Sequence, residues 1–371
     1  MKIFSKMKIA KLAPIKNVYR ILFALVLSQI LFQCKTPTIE ELLDQRLIKN
    51  YDQTETLNLY YATLRTQNTS ATNGCNDSYF LTTGPKELKT GYCIVNVPAN
   101  HEVGALPAGL GSRENYFQFL GHKPFETQDN FIEDLKKDPF EEVLVFVHGF
   151  NVKFEEAILR GGQIRYDLKF PGKIVIFTWP SGSEAGLINQ VLLKGTYEKN
   201  LASARASRGE FKNFLKSLQT AGKKIHLIVH SMGHQVVLPA LAEIGKESDK
   251  PLIQELILNA PDFDSGEFRL ISDSLTKAAK RTTLYCSPGD SALQASASVN
   301  QGGRLGTCMI IPGFDVINVN PIDSSLISLG HGYYSSKPLL TDIYQILLGV
   351  KAEKRLFIRK STGSENFVLR N

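Results

Sequence analysis

Ile225-His226-Leu227-Ile228-Val229, followed by His230-Ser231-Met232-Gly233 and then by the helical stretch His234 to Ile244, is the segment on which the reading of this chain turns. A β-branched run, a tight turn with Ser at its apex and an amphipathic helix form a nucleophile elbow. The turn strains the serine backbone, so small residues two positions either side relieve crowding between strand and helix. Gly233 fits that requirement, while Val229 stands where the first glycine is usual.

Outward from the elbow, short apolar runs alternate with longer amphipathic stretches, the pattern of a parallel sheet covered by helices on both faces. Strands are expected at Val143 to Val147, Ile174 to Thr178, Ile225 to Val229, Leu256 to Leu258, Thr282 to Cys286 and Val316 to Val319. Helical periodicity covers Phe154 to Leu168, Tyr197 to Leu218, His234 to Ile244, Glu267 to Ala278 and Leu339 to Leu348. Before them, Leu57 to Leu64 and Tyr92 to Val97 read as antiparallel entry strands. The expected class is α/β, an α/β-hydrolase fold with a mostly parallel sheet, spanning residues 57 to 350, with 351 to 371 as a C-terminal tail.

A serine hydroxyl needs a histidine to take its proton and a carboxylate to orient that histidine. This fold orders them Ser, acid, His. Only His234 and His331 follow Ser231; His234 lies in the elbow helix and is expected to point away from the apex, so the base is His331, in Gly330-His331-Gly332. Two strand ends offer the acid. Asp290, in the Pro-Gly turn after Cys286, is favoured; Asp262, in Asn259-Ala260-Pro261-Asp262, is the alternative and Asp264 a third choice. An oxyanion formed on acyl attack needs backbone donors. Met232 N–H is one, and His148-Gly149-Phe150-Asn151 supplies the other, from Phe150 or else from Gly149, with His148 bracing the loop. Trp179, the sole tryptophan, reads as core or as a wall of the acyl pocket.

The chain carries a formal charge of +7, but Lys2, Lys6, Lys8, Lys11, Lys16 and Arg20 account for all but one unit of it, in a leader without acids. A nucleic-acid partner therefore has no support. Residues 1 to 33 read as a signal peptide, because the apolar stretch from Ile21 to Gln33 falls short of the ~20 residues that span a bilayer. Leu31-Phe32-Gln33-Cys34 is similar to a bacterial lipobox, making Cys34 the acylated start of the mature chain and residues 34 to 56 a tether. The expected place is a bacterial cell envelope, with the membrane held through the lipid. Cys75, Cys93, Cys286 and Cys308 remain for an oxidising compartment, and local pairing joins Cys75 to Cys93 and Cys286 to Cys308.

Several segments together resemble the DUF900 family of bacterial α/β-hydrolases: Tyr60 to Thr63, Gly91 to Pro98 with His101 to Gly104, Val147 to Asn151, Phe177 to Ser181, His230 to Gly233, Ala260 to Asp262 and Gly330 to Tyr334. Leu64 departs from the Asn-like residue expected beside the first. The resemblance implies a serine hydrolase acting on carboxylic esters or related acyl compounds, with a small acyl ester or lipid as partner. No metal-ligand spacing or nucleotide fingerprint stands out, so no cofactor and no metal are inferred. Two other classes share these residues: an inactive surface binding module, and an acyltransferase or thioesterase using the same triad.

Overall fold

The computed structural model of the chain describes residues 38–46, 54–183, 190–248, 250–320, 331–362 and 366–370. The leader and Cys34 lie outside the described residues. The chain divides into two units, residues 1–45 and a body from Arg46 onward. Within the first, helix α1 (Ile39–Asp44) opens on a capping box in which Thr38 and Glu41 each bond the other's main-chain N–H. No helix among the described residues is long and apolar enough to cross a membrane.

The body is built on a sheet whose strands are β1 (Glu55–Thr63), β2 (Lys89–Val97), β3 (Gln118–Pro124), β4 (Glu142–Val147), β5 (Lys173–Thr178), β6 (Lys224–His230), β7 (Ile253–Asn259), β8 (Ala279–Cys286), β9 (Asp315–Asn318), β10 (Ile358–Lys360) and β11 (Phe367–Leu369). Their spatial order is β10-β11-β9-β8-β7-β6-β4-β5-β1-β2-β3. From β1 across to β11 every neighbouring pair is parallel. The hairpins at the two edges are antiparallel.

Alternation along the central strands sorts their side chains to two faces. Val143, Val145, Leu227, Val229, Leu256 and Leu258 pack on one side with Phe211, Phe214 and Leu215 of α5 (Arg208–Gln219) and Val237 and Leu241 of α6 (His234–Glu247). Leu144, Phe146, Ile228, Ile257, Tyr285 and Ile317 pack on the other, with Phe154 and Ile158 of α3 (Phe154–Asp167) and Ile343 and Ile346 of α9 (Lys337–Leu347). Both faces are covered, which is why these strands read as continuous apolar runs.

Three differences from the sequence reading have physical causes. The stretch Tyr197 to Leu218, read as one helix, divides at Ser207 into α4 (Gln190–Ala206) and α5. The Ser207 hydroxyl donates to the Ser203 carbonyl at 2.8 Å, a back-bond of the kind that bends helices. The structure also adds β3, α2 (Gln128–Lys136) and α8 (Ser291–Asn300). Finally, within residues 351 to 371, read as a tail, the described part adds two strands to the sheet: β11 lies parallel to β9, pairing Phe367 with Ile317, and β10 pairs with β11 at the edge. Three-residue strands are too short to show a period.

Arg355 is what ties this segment down. Its fully buried guanidinium lies 2.9 Å from Asp342 of α9 and 3.4 Å from Asp315 of β9. Burial pushes the Asp342 carboxyl up to about 6, against the pull of Arg355. Arg355→Ala would leave that carboxylate uncompensated and should cost ~3–5 kcal/mol. The check is urea unfolding at neutral pH; a loss below ~1 kcal/mol, the scale of an exposed pair, would show that the C-terminal strands lie on the sheet without holding it.

Candidate functional site

Ser231 sits where β6 gives way to α6, in a left-handed conformation with φ of 51°. For a residue with a Cβ this costs roughly 1–2 kcal/mol. Its surroundings impose the conformation. The Ser231 carbonyl accepts from His234 Nδ1 at 2.7 Å and from the Asp262 N–H at 3.3 Å. Two positions on, a Cβ at Gly233 would stand 2.5 Å from the His148 carbonyl oxygen, so only glycine lets the turn pack against the end of β4. Val229 is fully buried in the core, and the elbow keeps its shape without the first glycine. His234 does not simply point away: its ring turns back to the Ser231 main chain rather than to the hydroxyl.

The three candidate acids receive three different surroundings. Asp290 is fully buried at the N-cap of α8, where Oδ1 accepts from Leu293 N–H at 3.0 Å and Oδ2 lies 2.6 Å from His331 Nδ1. With Nδ1 donating to a carboxylate, Nε2 is the nitrogen left to accept a proton. Asp262 instead takes the Tyr197 hydroxyl at 2.9 Å and the Ser296 hydroxyl at 2.6 Å, with Arg304 Nε 3.3 Å away. Asp264 caps α7 (Ser265–Ala278), accepting from Gly266 and Glu267 N–H. The structure thus brings His331 to Asp290, and it leaves Asp262 bound to a buried arginine. His331 also reaches the elbow, its ring centroid 5.0 Å from that of His230.

The loop after β4 lies against the serine. A Cβ on Gly149 would fall 2.8 Å from Ser231 Cβ, a separation that only glycine permits. The Gly149 carbonyl accepts from Ser181 Oγ at 3.2 Å, and in a trans peptide the Phe150 N–H points the opposite way. Met232 N–H lies in the first turn of a helix, where no intrahelical acceptor exists.

Residues that the sequence reading gave no role hold this loop. Arg65, almost fully buried, donates to the carbonyls of Ser181 and Val152, both at 2.8 Å. Asn200 Oδ1 accepts from Asn151 N–H at 3.2 Å and Gly182 N–H at 3.0 Å. Trp179 is core: fully buried, it stacks on His148 and donates Nε1–H to the His148 carbonyl at 2.9 Å. None of these contacts follows a sequence period, so no local signal marks them.

Disulfides join Cys75 to Cys93 and Cys286 to Cys308. The second starts where β8 ends and the Asp290 turn begins, and beside it Ser287 N–H donates to the Gly306 carbonyl at 2.9 Å. The bridge therefore ties the Asp290 turn to the segment carrying Arg304. Among the described residues no group of three or more His, Cys, Asp or Glu is placed to hold a metal.

Burial lowers His234 to about 3, and burial followed by the charge of Arg65 does the same to His148. Both are neutral at pH 7. Unfolded, each takes up a proton near the ordinary value of 6.5; folded, each refuses it until about 3. Their share of stability is whole above 6.5 and lost as pH falls toward 3, at ~1.4 kcal/mol per pH unit for each group. His234→Gln, which keeps a donor for the Ser231 carbonyl, should flatten the fall in unfolding free energy between about pH 6 and 4 by that slope. Urea titrations across this range check it, and an unchanged slope would mean that His234 protonates in place.

Residues 123–351 match the family described as "Alpha/beta hydrolase of unknown function (DUF900)". Among curated proteins no relative matches the chain. One solved structure to which it is similar is "Phospholipase PlaB from Legionella pneumophila", at 16% identity and a TM-score of 0.24, with 54% of this chain and 43% of that chain covered. At that score the likeness bears no weight here, and the match spans less than half of that protein. The family match covers more than half of the chain, including β4 to α9 with Ser231, Asp290 and His331, and on it the chain belongs to the DUF900 family of α/β hydrolases.

Proposed function

We propose that the protein is a serine hydrolase that cleaves carboxylic ester or related acyl bonds through Ser231, His331 and Asp290. One observation carries this reading: a histidine bonded through Nδ1 to a fully buried carboxylate, its ring 5.0 Å from that of His230, the residue before a serine held in a left-handed turn at the end of a central strand.

In this reading His331 Nε2 takes the Ser231 hydroxyl proton as Oγ attacks the acyl carbonyl, and the Asp290 carboxylate stabilises the imidazolium. The tetrahedral oxyanion is met by the N–H groups of Met232 and Phe150, with Gly149 N–H the alternative donor. Each such donor is worth ~3–4 kcal/mol of barrier in a water-excluded site. Collapse passes the imidazolium proton to the leaving alkoxide and leaves an acyl-serine. Water then attacks the acyl carbon, giving its proton to His331, and the acid departs as Ser231 recovers its own. Asp262 has no part in proton transfer, since its carboxylate is engaged with Arg304, Tyr197 and Ser296.

A fluorophosphonate probe should label the protein at Ser231, and a short activated ester should be hydrolysed. Ser231→Ala should abolish both, and labelling that persists would sink the assignment. Asp290→Asn should lower kcat by about 10⁴. Asp262→Asn should instead lower the melting temperature, because Arg304 loses its counter-charge; the reverse ranking in kcat would give the acid's role to Asp262.

We also infer export and acylation at Cys34, which would place the hydrolase on an envelope membrane. Two or more acyl chains give stable attachment, each buried CH₂ contributing about 0.8 kcal/mol. Detergent partitioning of the protein expressed in a bacterium should be lost in Cys34→Ala. Equal partitioning of the two would show that the anchor lies elsewhere.

A further inference from the structure

His230 precedes the serine, and its ring occupies the junction between the three parts of the site. It is buried, its centroid lies 3.8 Å from that of Tyr334 with the rings stacked at 27°, and the His331 centroid is 5.0 Å away. Its Nδ1 is the atom that a Cβ on Gly149 would approach to 3.0 Å, so the same ring also lies against the loop after β4.

The contacts on Tyr334 and His331 have a common origin. His331 is the N-cap of a 3₁₀ turn over Gly332–Ser335, and Tyr334 stands three positions on. Side chains three apart on a 3₁₀ turn eclipse each other, so both rings are brought to the same side, where His230 meets them. Behind Tyr334 the support continues. The Arg160 guanidinium of α3 lies 5.6 Å from the Tyr334 centroid and is held by Gln163 Oε1 at 2.7 Å and the Gly104 carbonyl at 3.2 Å. Gly104 in turn lies directly against the Ser335 carbonyl.

We propose that His230 is a positioning residue for His331: its ring, stacked on Tyr334, forms the wall that fixes the rotation of the His331 imidazole and so the direction of Nε2. This rests on His331 being the base of the proposed hydrolase. Two features favour positioning over plain packing. The His230 ring is hydrogen-bonded to the His331 main chain, a directional tie to the very residue it flanks that an apolar wall would lack. Burial, and after it the charges of His331 and His234, also hold His230 well below the ordinary histidine range. It therefore stays neutral beside an imidazole that must become cationic.

The full-length chain with Tyr334→Ala, Tyr334→Phe and His230→Ala is the test, read by kcat and KM on a short ester, fluorophosphonate labelling rate, and the low-field proton resonance of His331 Nδ1–H on Asp290. Tyr334→Ala and His230→Ala should each lower kcat and labelling rate by about 10- to 100-fold with KM within about 2-fold, as a misplaced base does. Both should broaden the low-field resonance, and Tyr334→Phe should restore rate and resonance alike. Variants that melt earlier yet keep kcat and the resonance would overturn the proposal and leave His230 as packing. Complete loss of labelling in His230→Ala with normal labelling in His331→Ala would overturn it too, making His230 the base. If the unsubstituted protein does not label at all, the hydrolase reading fails by itself, and the resonance in the same three variants still decides whether His230 positions His331.

Discussion

The left-handed backbone at Ser231 is the constraint on which the rest of this site is arranged. A strand that ends beneath the neighbouring β4 and must enter a helix at once has room for one geometry, and the side chain at the apex is then turned out of the sheet. Everything that touches the apex serves that turn: Gly233 and Gly149 give way where the main chains meet, while His234 and the Asp262 N–H hold the serine carbonyl. The strain at one residue is small beside the burial of Val229, Met232, Val236 and Val237 around it, each worth ~1.5–3 kcal/mol as a large apolar side chain.

Around this turn, charge is kept apart by burial rather than by distance. Asp290 and Asp262 are both buried at strand ends of the same sheet, yet one is paired with a histidine and the other with Arg304. A carboxylate with a permanent cation beside it is committed to that partner; one set against an imidazole can stabilise that ring's cation. His148, His230 and His234 crowd the same rim without competing, because burial holds all three in the neutral form.

The framework that carries these loops ends at each edge in antiparallel strands. Beyond β9 the chain returns as β11 and β10, with Arg355 buried between Asp342 and Asp315. The bridge from Cys286 to Cys308 joins the Asp290 turn to the turn that holds Arg304, so the two acids are set by one covalent clamp. A loop whose side chain must meet a partner from another element gains precision from such ties.

What the sequence by itself determined is what depends on near neighbours in the chain. The strands from Val143 to Val147 and Ile225 to Val229 show in apolar runs, the elbow in a strand-turn-helix of ten or so residues, and the order of Ser231, Asp290 and His331 in the direction of the fold. The strands at 358–360 and 367–369 did not show, because pairing with β9 and not local periodicity makes them strands. Arg65 and Asn200 were silent for the same reason: their partners lie far along the chain, as Arg65 bonds Ser181 across 116 positions. The sequence favoured Asp290 over Asp262 from its place in the turn after β8, but only the tertiary structure shows how the surroundings of the two differ. The sheet brings His331 from 41 positions away beside one carboxylate and Arg304 beside the other.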